Sequence, residues 1–537
     1  MENDLNIGLT FSGGGYRAAT FDLGALSMLN SLKLEDGRSL LSCVSALSSV
    51  SGGTIPALKY MLALAHGQSV DEMVDEVYDF LCNEDLVVKA MQGLSAEKAN
   101  RDASSIKIMA GIYDKYLFNG ALMGDIIDNF EHIPVKDYTA LATDFDHSLP
   151  FRFRVTEGWT TTGDRLYYGI FGNAKYNIGL KLARYITAGE AMACSSCFPS
   201  GFEPMMYPDD FQVSNQPDIA GNIKTRFGIM DGGVSDNQGI ESILKAEQRR
   251  RKYRNDQTRT DKALDLVIVS DVSSPYMDGY KPSEQMLPNN VGKLTLGRLR
   301  NYGLITLAVS MVLFIVALVL GSGFWTGVMS VILAVVVLAN LIGALLKNKM
   351  FGAIAKTFIG NNAAFINHLK FATIESMLMN RAKSVIKLSS EVFLKRMRQL
   401  NYNMLYDDQE WTNRRITNTI YELRPNERWQ SNLKSGELPK YLAPTTAMQE
   451  NSQRAASMGT TLWFTAQDKA SGMPRAIFAA GQYTMCYNLL YYIEEIEKDP
   501  TNLTPAHKHI LALKPQLLTA WTKFKLDPHF MTKLKKK

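Results

Sequence analysis

Residues 43–66 read CVSALSSVSGGTIPALKYMLALAH. Cys43–Val50 has the apolar, β-branched character of a buried strand, and Ile55–His66 has the apolar spacing of a helix. Between them stands Ser49-Val50-Ser51-Gly52-Gly53. A serine on a tight strand-to-helix turn, flanked by small residues because larger ones would clash, is the pattern of a nucleophile elbow. Ser49 occupies the place of the usual first glycine. The N-terminus of the following helix would stabilise negative charge developing at Ser51. The competing reading is a serine-rich turn without a role, since Ser42, Ser45, Ser48 and Ser49 crowd the same stretch.

Upstream, the strand candidate Asn6–Phe11 runs into Gly13-Gly14-Gly15-Tyr16-Arg17-Ala18 and then a helix over Thr20–Leu32. Consecutive glycines between a strand and a helix expose backbone N–H groups and admit close approach of a ligand. That suits an oxyanion hole built from Gly13, Gly14 and Gly15. It also suits a dinucleotide phosphate, because Gly13-x-Gly15-x-x-Ala18 matches the nucleotide-binding fingerprint. The acidic residues at the required distance, Glu35 and Asp36, precede the next apolar run instead of ending it, which counts against the nucleotide.

Downstream, Asp231-Gly232-Gly233 follows the strand candidate Arg226–Met230. In a parallel sheet this carboxylate would share the carboxyl edge with Ser51, where α/β proteins bind ligands. Asp-Gly-Gly is equally an ordinary turn. A Ser-His-Asp triad needs a histidine in a loop beyond the acid. Beyond Asp231 only His368, His507, His509 and His529 remain, and none follows a clear strand of the α/β part. A direct Ser51–Asp231 dyad is therefore the simpler expectation.

The 537 residues carry a net charge of +5, with 46% hydrophobic and 21% charged residues, which is the profile of a globular chain and not of a nucleic-acid binder. Five cysteines, Cys43, Cys82, Cys194, Cys197 and Cys486, form no disulfide framework. Cys194 and Cys197 make a lone C-x-x-C, with no second pair to complete a zinc site. No metal and no cofactor is expected. The N-terminus has no cleavable-signal pattern. Strand candidates at Arg152–Thr156, Arg165–Tyr168 and Leu264–Ser270, and helices at Asp71–Leu81 and Gly239–Arg250, complete a strand–helix alternation. Such alternation favours a largely parallel sheet covered on both faces.

No Asp, Glu, Lys, Arg or His occurs between Arg300 and Lys347. Two apolar runs, Gly303–Leu320 and Phe324–Leu346, flank Gly321-Ser322-Gly323 and would be about 27 and 34 Å long as helices at about 1.5 Å per residue. A bilayer core is about 30 Å thick, so the pattern predicts a transmembrane hairpin. Lys293, Arg298 and Arg300 on one side, with Lys347, Lys349 and Lys356 on the other, place both open ends and the catalytic part in the cytoplasm. A buried core hairpin and a re-entrant hairpin are the competing readings. Phe365–Leu400 reads as a basic amphipathic helix, Asp407–Ser435 as a polar linker or short exposed elements, Thr460–Ala466 as a strand and Ala476–Ile496 as a long apolar helix. The basic tail ends at Lys537.

The three motifs together, in this order, resemble the patatin-like phospholipase family, whose core is shared with cytosolic phospholipase A2. Ala193–Pro204, ACSSCFPSGFEP, is similar to the family's Ser/Pro-rich stretch. Ser49 and Ala18 are departures from the family's glycines, and neither removes a reacting group. The resemblance implies a three-layer α/β/α fold with a mostly parallel sheet, to which this chain adds an inserted two-helix transmembrane hairpin and a helical C-terminal part. It also implies a catalytic domain over 1–275. A basic linker follows at 276–300, the hairpin at 301–349 and a helical region at 350–450. A strand and helix at 451–500 return to the catalytic domain, before a basic tail at 501–537. The implied activity is a lipid acyl hydrolase of phospholipase A or lysophospholipase type, with Ser51 as nucleophile, Asp231 as base, a Gly13–Gly15 oxyanion loop and Arg17 on a lipid phosphate. The expected partners are phospholipid or lysophospholipid and a membrane, with a homo-oligomer or regulatory ligand as further options. The alternatives are an inactive scaffold of this fold or a regulated membrane-degrading defence effector.

Overall fold

The computed structural model describes residues 5–96, 104–159, 165–199, 201–215, 225–252, 262–274, 276, 279–284, 286–346, 368–425, 431–432, 434–436, 438–498, 500 and 503–532. Lys347, Lys349, Lys356 and the tail from Lys533 lie outside them. The chain divides into two compact units, one of Met1–Met277 with Ser389–Lys537 and one of Asp278–Leu388.

The first unit begins with β1 (Ile7–Phe11), a glycine turn and α1 (Gly15–Ser31). Then come β2 (Val44–Val50) and α2 (Thr54–His66), joined by a short turn at Ser51–Gly53. β3 (Asp137–Asp144), β4 (Leu149–Trp159), β5 (Arg165–Gly172) and β6 (Asn177–Ile178) form a meander. After α3 (Ala188–Ser196) follow β7 (Met205–Tyr207), β8 (Phe227–Asp231), α4 (Ile240–Lys252) and β9 (Leu266–Asp271). All five residues of β1 and all seven of β2 are buried, as in strands covered on both faces, with Thr10, Ser45, Ser48 and Ser49 the polar residues among them.

The described strands make one ten-stranded sheet, ordered β10-β9-β1-β2-β3-β4-β5-β6, where β10 is Arg415–Thr419. From β10 to β3 every pairing is parallel. From β3 outward the meander is antiparallel. β8 also pairs antiparallel with β3. The parallel expectation thus holds for the half that carries the glycine turn and the elbow, and the sheet as a whole is mixed. The short connections between β3, β4 and β5 permit only hairpins, because a parallel crossover needs a dozen or more residues.

β10 falls within Asp407–Ser435, where a polar linker or short exposed elements were expected. Its buried pattern alternates, with Ile416 and Asn418 inward, so only a short edge strand was written there. The strand expected over Thr460–Ala466 is absent. That stretch is irregular up to Thr465, and its Thr461 carbonyl accepts the Tyr16 N–H at 2.8 Å. Its hydrogen bonding is spent on the glycine turn instead of a sheet edge.

In the second unit, α5 (Leu296–Val319) and α6 (Gly323–Leu346) form the expected hairpin. Each has 24 residues, about 36 Å at about 1.5 Å per residue. Both are long and apolar enough to cross a membrane, and only 11% and 0% of their most apolar windows are buried. The buried-core reading therefore fails. Asn340 Nδ2 donates to the Gly303 carbonyl at 3.2 Å, and a β-carbon on Gly303 would strike the Asn340 side chain. This is a small residue opposite a polar one, a pairing that holds helices together in lipid. α7 (Phe371–Lys387) ends this unit.

Back in the first unit, α8 (Phe393–Tyr406) packs with α4 through the small core of Ile240, Ile243, Val267, Val269 and Leu405. α9 (Met473–Glu497) lies against α1 so closely that a β-carbon on Gly481 would collide with the Phe21 carbonyl. The helix expected over Ala476–Ile496 thus covers the first helix of the α/β core.

Candidate active site

β2 ends at Val50, and Ser51 takes φ = 50°. A non-glycine residue in this left-handed region is costly and is held only where the surroundings over-determine it. Here the Ser51 N–H donates to Ser195 Oγ at 2.9 Å. Ser195 Oγ in turn donates to the Leu141 carbonyl at 2.7 Å, so its contact with Thr54 Oγ1 at 2.9 Å has the threonine as donor. Gly52 faces the glycine turn. A β-carbon there would collide with the backbone of Gly15. The turn itself has Gly14 at φ = 152° and Gly15 at φ = 59°, conformations that glycine adopts without strain. Ser49 is accommodated fully buried within β2, between Phe11 and Ala140.

Ser51 Oγ donates to Asp231 Oδ2 at 2.7 Å. The two are 180 residues apart in sequence. The parallel-sheet argument for their meeting does not apply, because β8 is antiparallel to β3. Val50 pairs with Leu141 and Asp231 pairs with Ala142. β2 and β8 therefore lie along one edge of β3 and approach it from opposite directions, so their carboxyl ends meet head to head. The carbonyl of Cys197 accepts the Asp231 N–H at 2.9 Å, and Thr143 Oγ1 donates to the Asp231 carbonyl at 2.8 Å. Asp231 Oδ1 accepts the Gly233 N–H at 2.6 Å.

Asp231 is buried, with only 5% of its surface exposed, and Ser51 is 8% exposed. Burial pushes the Asp231 carboxyl up to about 6, against the lowering effect of its hydrogen bonds from Ser51 and Gly233. Among the described residues no histidine hydrogen-bonds either side chain. His147 sits on Asp144 at 3.2 Å, and His507 contacts Thr504 and Asn413.

The glycine turn divides its donors. Gly13 N–H is already committed to the Asn237 carbonyl at 2.9 Å, although Gly13 lies beside the Ser51 β-carbon. Among the described residues the N–H groups of Gly14 and Gly15 have no acceptor. Arg17 departs from expectation. It is 6% exposed and points inward, where Nη2 donates to the Val272 carbonyl at 3.1 Å and Nη1 to the Met458 carbonyl and Tyr421 Oη. Its terminal nitrogens are committed to two backbone carbonyls and a tyrosine hydroxyl inside the protein and not to a lipid phosphate. Cys194 and Cys197 are buried, with Cys194 Sγ against Met205 Sδ and Cys197 Sγ against the Glu203 carbonyl. Among the described residues no group of three or more metal-binding side chains occurs.

Ser195 and Cys197 are positioning residues that sequence reading left without a role. The only signal for them was the Ser/Pro-rich stretch that contains both.

The fold and this site define an α/β protein with a buried serine–carboxylate pair at a strand–helix elbow. Residues 9–244 match the patatin-like phospholipase family, and they constitute a patatin-like domain. That match supports a lipid acyl hydrolase in general terms. Comparison with curated proteins gives no match. Among solved structures, human GIVD cytosolic phospholipase A2 is similar at 15% identity over 51% of this chain and 44% of that one, with a TM-score of 0.32. The same human enzyme in complex with methyl gamma-linolenyl fluorophosphonate and terbium chloride gives 14%, 51%, 42% and 0.32. The chain thus spans less than half the length of these proteins.

Proposed function

We propose that this chain is a membrane-anchored serine lipid acyl hydrolase of phospholipase A or lysophospholipase type, with its catalytic unit on the cytoplasmic side. The observation that carries the reading is the 2.7 Å hydrogen bond from Ser51 Oγ to Asp231 Oδ2 beside a glycine turn with two uncommitted N–H groups. Ser51 Oγ attacks the ester carbonyl of a glycerolipid as Asp231 takes its proton. The Gly13–Gly15 turn receives the oxyanion, through the N–H groups of Gly14 and Gly15. Collapse of the tetrahedral intermediate expels the alcohol or lysolipid, which takes the proton from Asp231. Asp231 then deprotonates a water, which cleaves the acyl-enzyme and restores Ser51.

Two helices of membrane-spanning length support the anchor. Holding the enzyme at the bilayer raises the effective concentration of its lipid substrate. Ser51 and Asp231 are almost fully buried, which favours control over the access of an ester to Ser51. A fluorophosphonate probe tests the reading on the full chain in detergent. Labelling of the wild type that disappears in Ser51→Ala is expected. Equal labelling of both would refute Ser51 as nucleophile, and no labelling of either would favour the inactive scaffold.

A further inference from the structure

α8, Thr417 in the middle of β10 and Ser274 just beyond β9 line an open cavity of about 530 Å³, within the range of small-ligand sites. Ser274, Lys395, Arg398, Gln399, Tyr402 and Asn403 line it, two cations with amides and hydroxyls and no carboxylate among the lining groups. Arg398 is oriented in a particular way. Its Nε donates to Asp271 Oδ2 at 2.9 Å, and Tyr402 Oη donates to the same oxygen at 3.0 Å. Among the described residues neither Nη group of Arg398 has an acceptor, and its side chain is 21% exposed. Asp271 thus fixes the guanidinium through one nitrogen and leaves the two terminal nitrogens for an oxyanion, the geometry that arginine offers to phosphate.

The walls of this cavity reach the active site by hydrogen bonds. Ser273, next to Ser274, accepts from Asn237 Nδ2 at 2.9 Å, and the Asn237 carbonyl holds Gly13 N–H. On α8, Asn401 Nδ2 donates to Asp236 Oδ1 at 2.8 Å, five residues beyond Asp231. We propose that this cavity is a recognition site for a phosphate group, and that its occupancy is felt at the glycine turn and at the segment that follows Asp231. The second clause rests on the hydrolase reading, and the first does not. The phosphate belongs either to a soluble phosphorylated effector or to a phospholipid headgroup.

Calorimetric titration of inorganic phosphate into the full-length Ser51→Ala chain in detergent reads binding without any catalysis. Saturable binding that weakens at least about tenfold on adding Lys395→Ala is expected. In parallel, hydrolysis of a soluble ester by wild type with added phosphate, and the ratio of phosphatidylglycerol to diacylglycerol hydrolysis, separate the two sources. A saturable, several-fold rate change with phosphate identifies a soluble effector, and a phospholipid preference lost in Lys395→Ala identifies a headgroup. If Lys395→Ala does not fold, Arg398→Lys keeps a cation beside Asp271 but loses the paired nitrogens, and it should show the same loss. Absence of phosphate binding together with an unchanged lipid ratio overturns the proposal, and so does binding that survives in both variants. Phosphate binding to Ser51→Ala alongside an inert wild type would retain the site and reject the hydrolase.

Discussion

Asp231→Asn separates the cost of the site from its use. Burial raises the Asp231 carboxyl from 3.8 to about 6, so the native state prefers the protonated acid by about 2 units, or about 3 kcal/mol at 1.36 kcal/mol per unit. Because the folded value lies above the unfolded one, the native state binds more protons. The contribution of this carboxyl to stability is therefore greatest below about pH 4 and is progressively lost as pH rises through about 6. Asparagine has no charge to desolvate. Its Oδ1 still accepts from Gly233, and its amide can donate to Ser51 Oγ. The variant should match the wild type in stability near pH 4 and exceed it by up to about 3 kcal/mol at pH 7.5, while labelling and turnover disappear. Thermal unfolding of both proteins in detergent at pH 4, 6 and 7.5 measures this difference. A gap that does not change with pH would refute the desolvated carboxylate, and an Asp231→Asn enzyme of near-normal activity would refute the dyad.

The same carboxyl must be ionised to act as base, so kcat/KM should be level above about pH 6 and fall about tenfold per unit below it; a profile flat to pH 4.5 would assign the base elsewhere. Ser195→Ala strands the buried Ser51 N–H, which should cost about 1–3 kcal/mol of stability and lower kcat more than it raises KM; unchanged kcat in a folded variant would remove Ser195 from the positioning of the elbow. Deleting Gly303–Leu346 should move the protein from the carbonate-resistant membrane fraction to the supernatant with fluorophosphonate labelling retained, and membrane retention would contradict the anchor. Replacing each of the seven histidines singly should leave labelling of Ser51 intact, since none bonds the pair; a folded but unreactive variant would restore a triad.

Local sequence determined the parts of this protein whose chemistry is local. Cys43–His66 specifies strand, turn and helix by composition alone. The glycines at 13–15 announce backbone donors, and an uncharged stretch of 46 residues from Asn301 to Leu346 announces a hairpin. Tertiary structure decided what depends on distant partners. It set the antiparallel approach of β8 that brings Asp231 to Ser51 and the commitment of Gly13 N–H to Asn237. It also paired β10, from a stretch read as a linker or short exposed elements, with β9, and turned Arg17 inward. A strand's direction and a donor's partner are fixed by which neighbour remains unpaired once the sheet assembles, and no window of sequence contains that neighbour. The irregular 460–465 segment shows the same limit. Its apolar character suits a strand, but β10 and not this segment pairs with β9, and its Thr461 carbonyl serves the glycine turn instead.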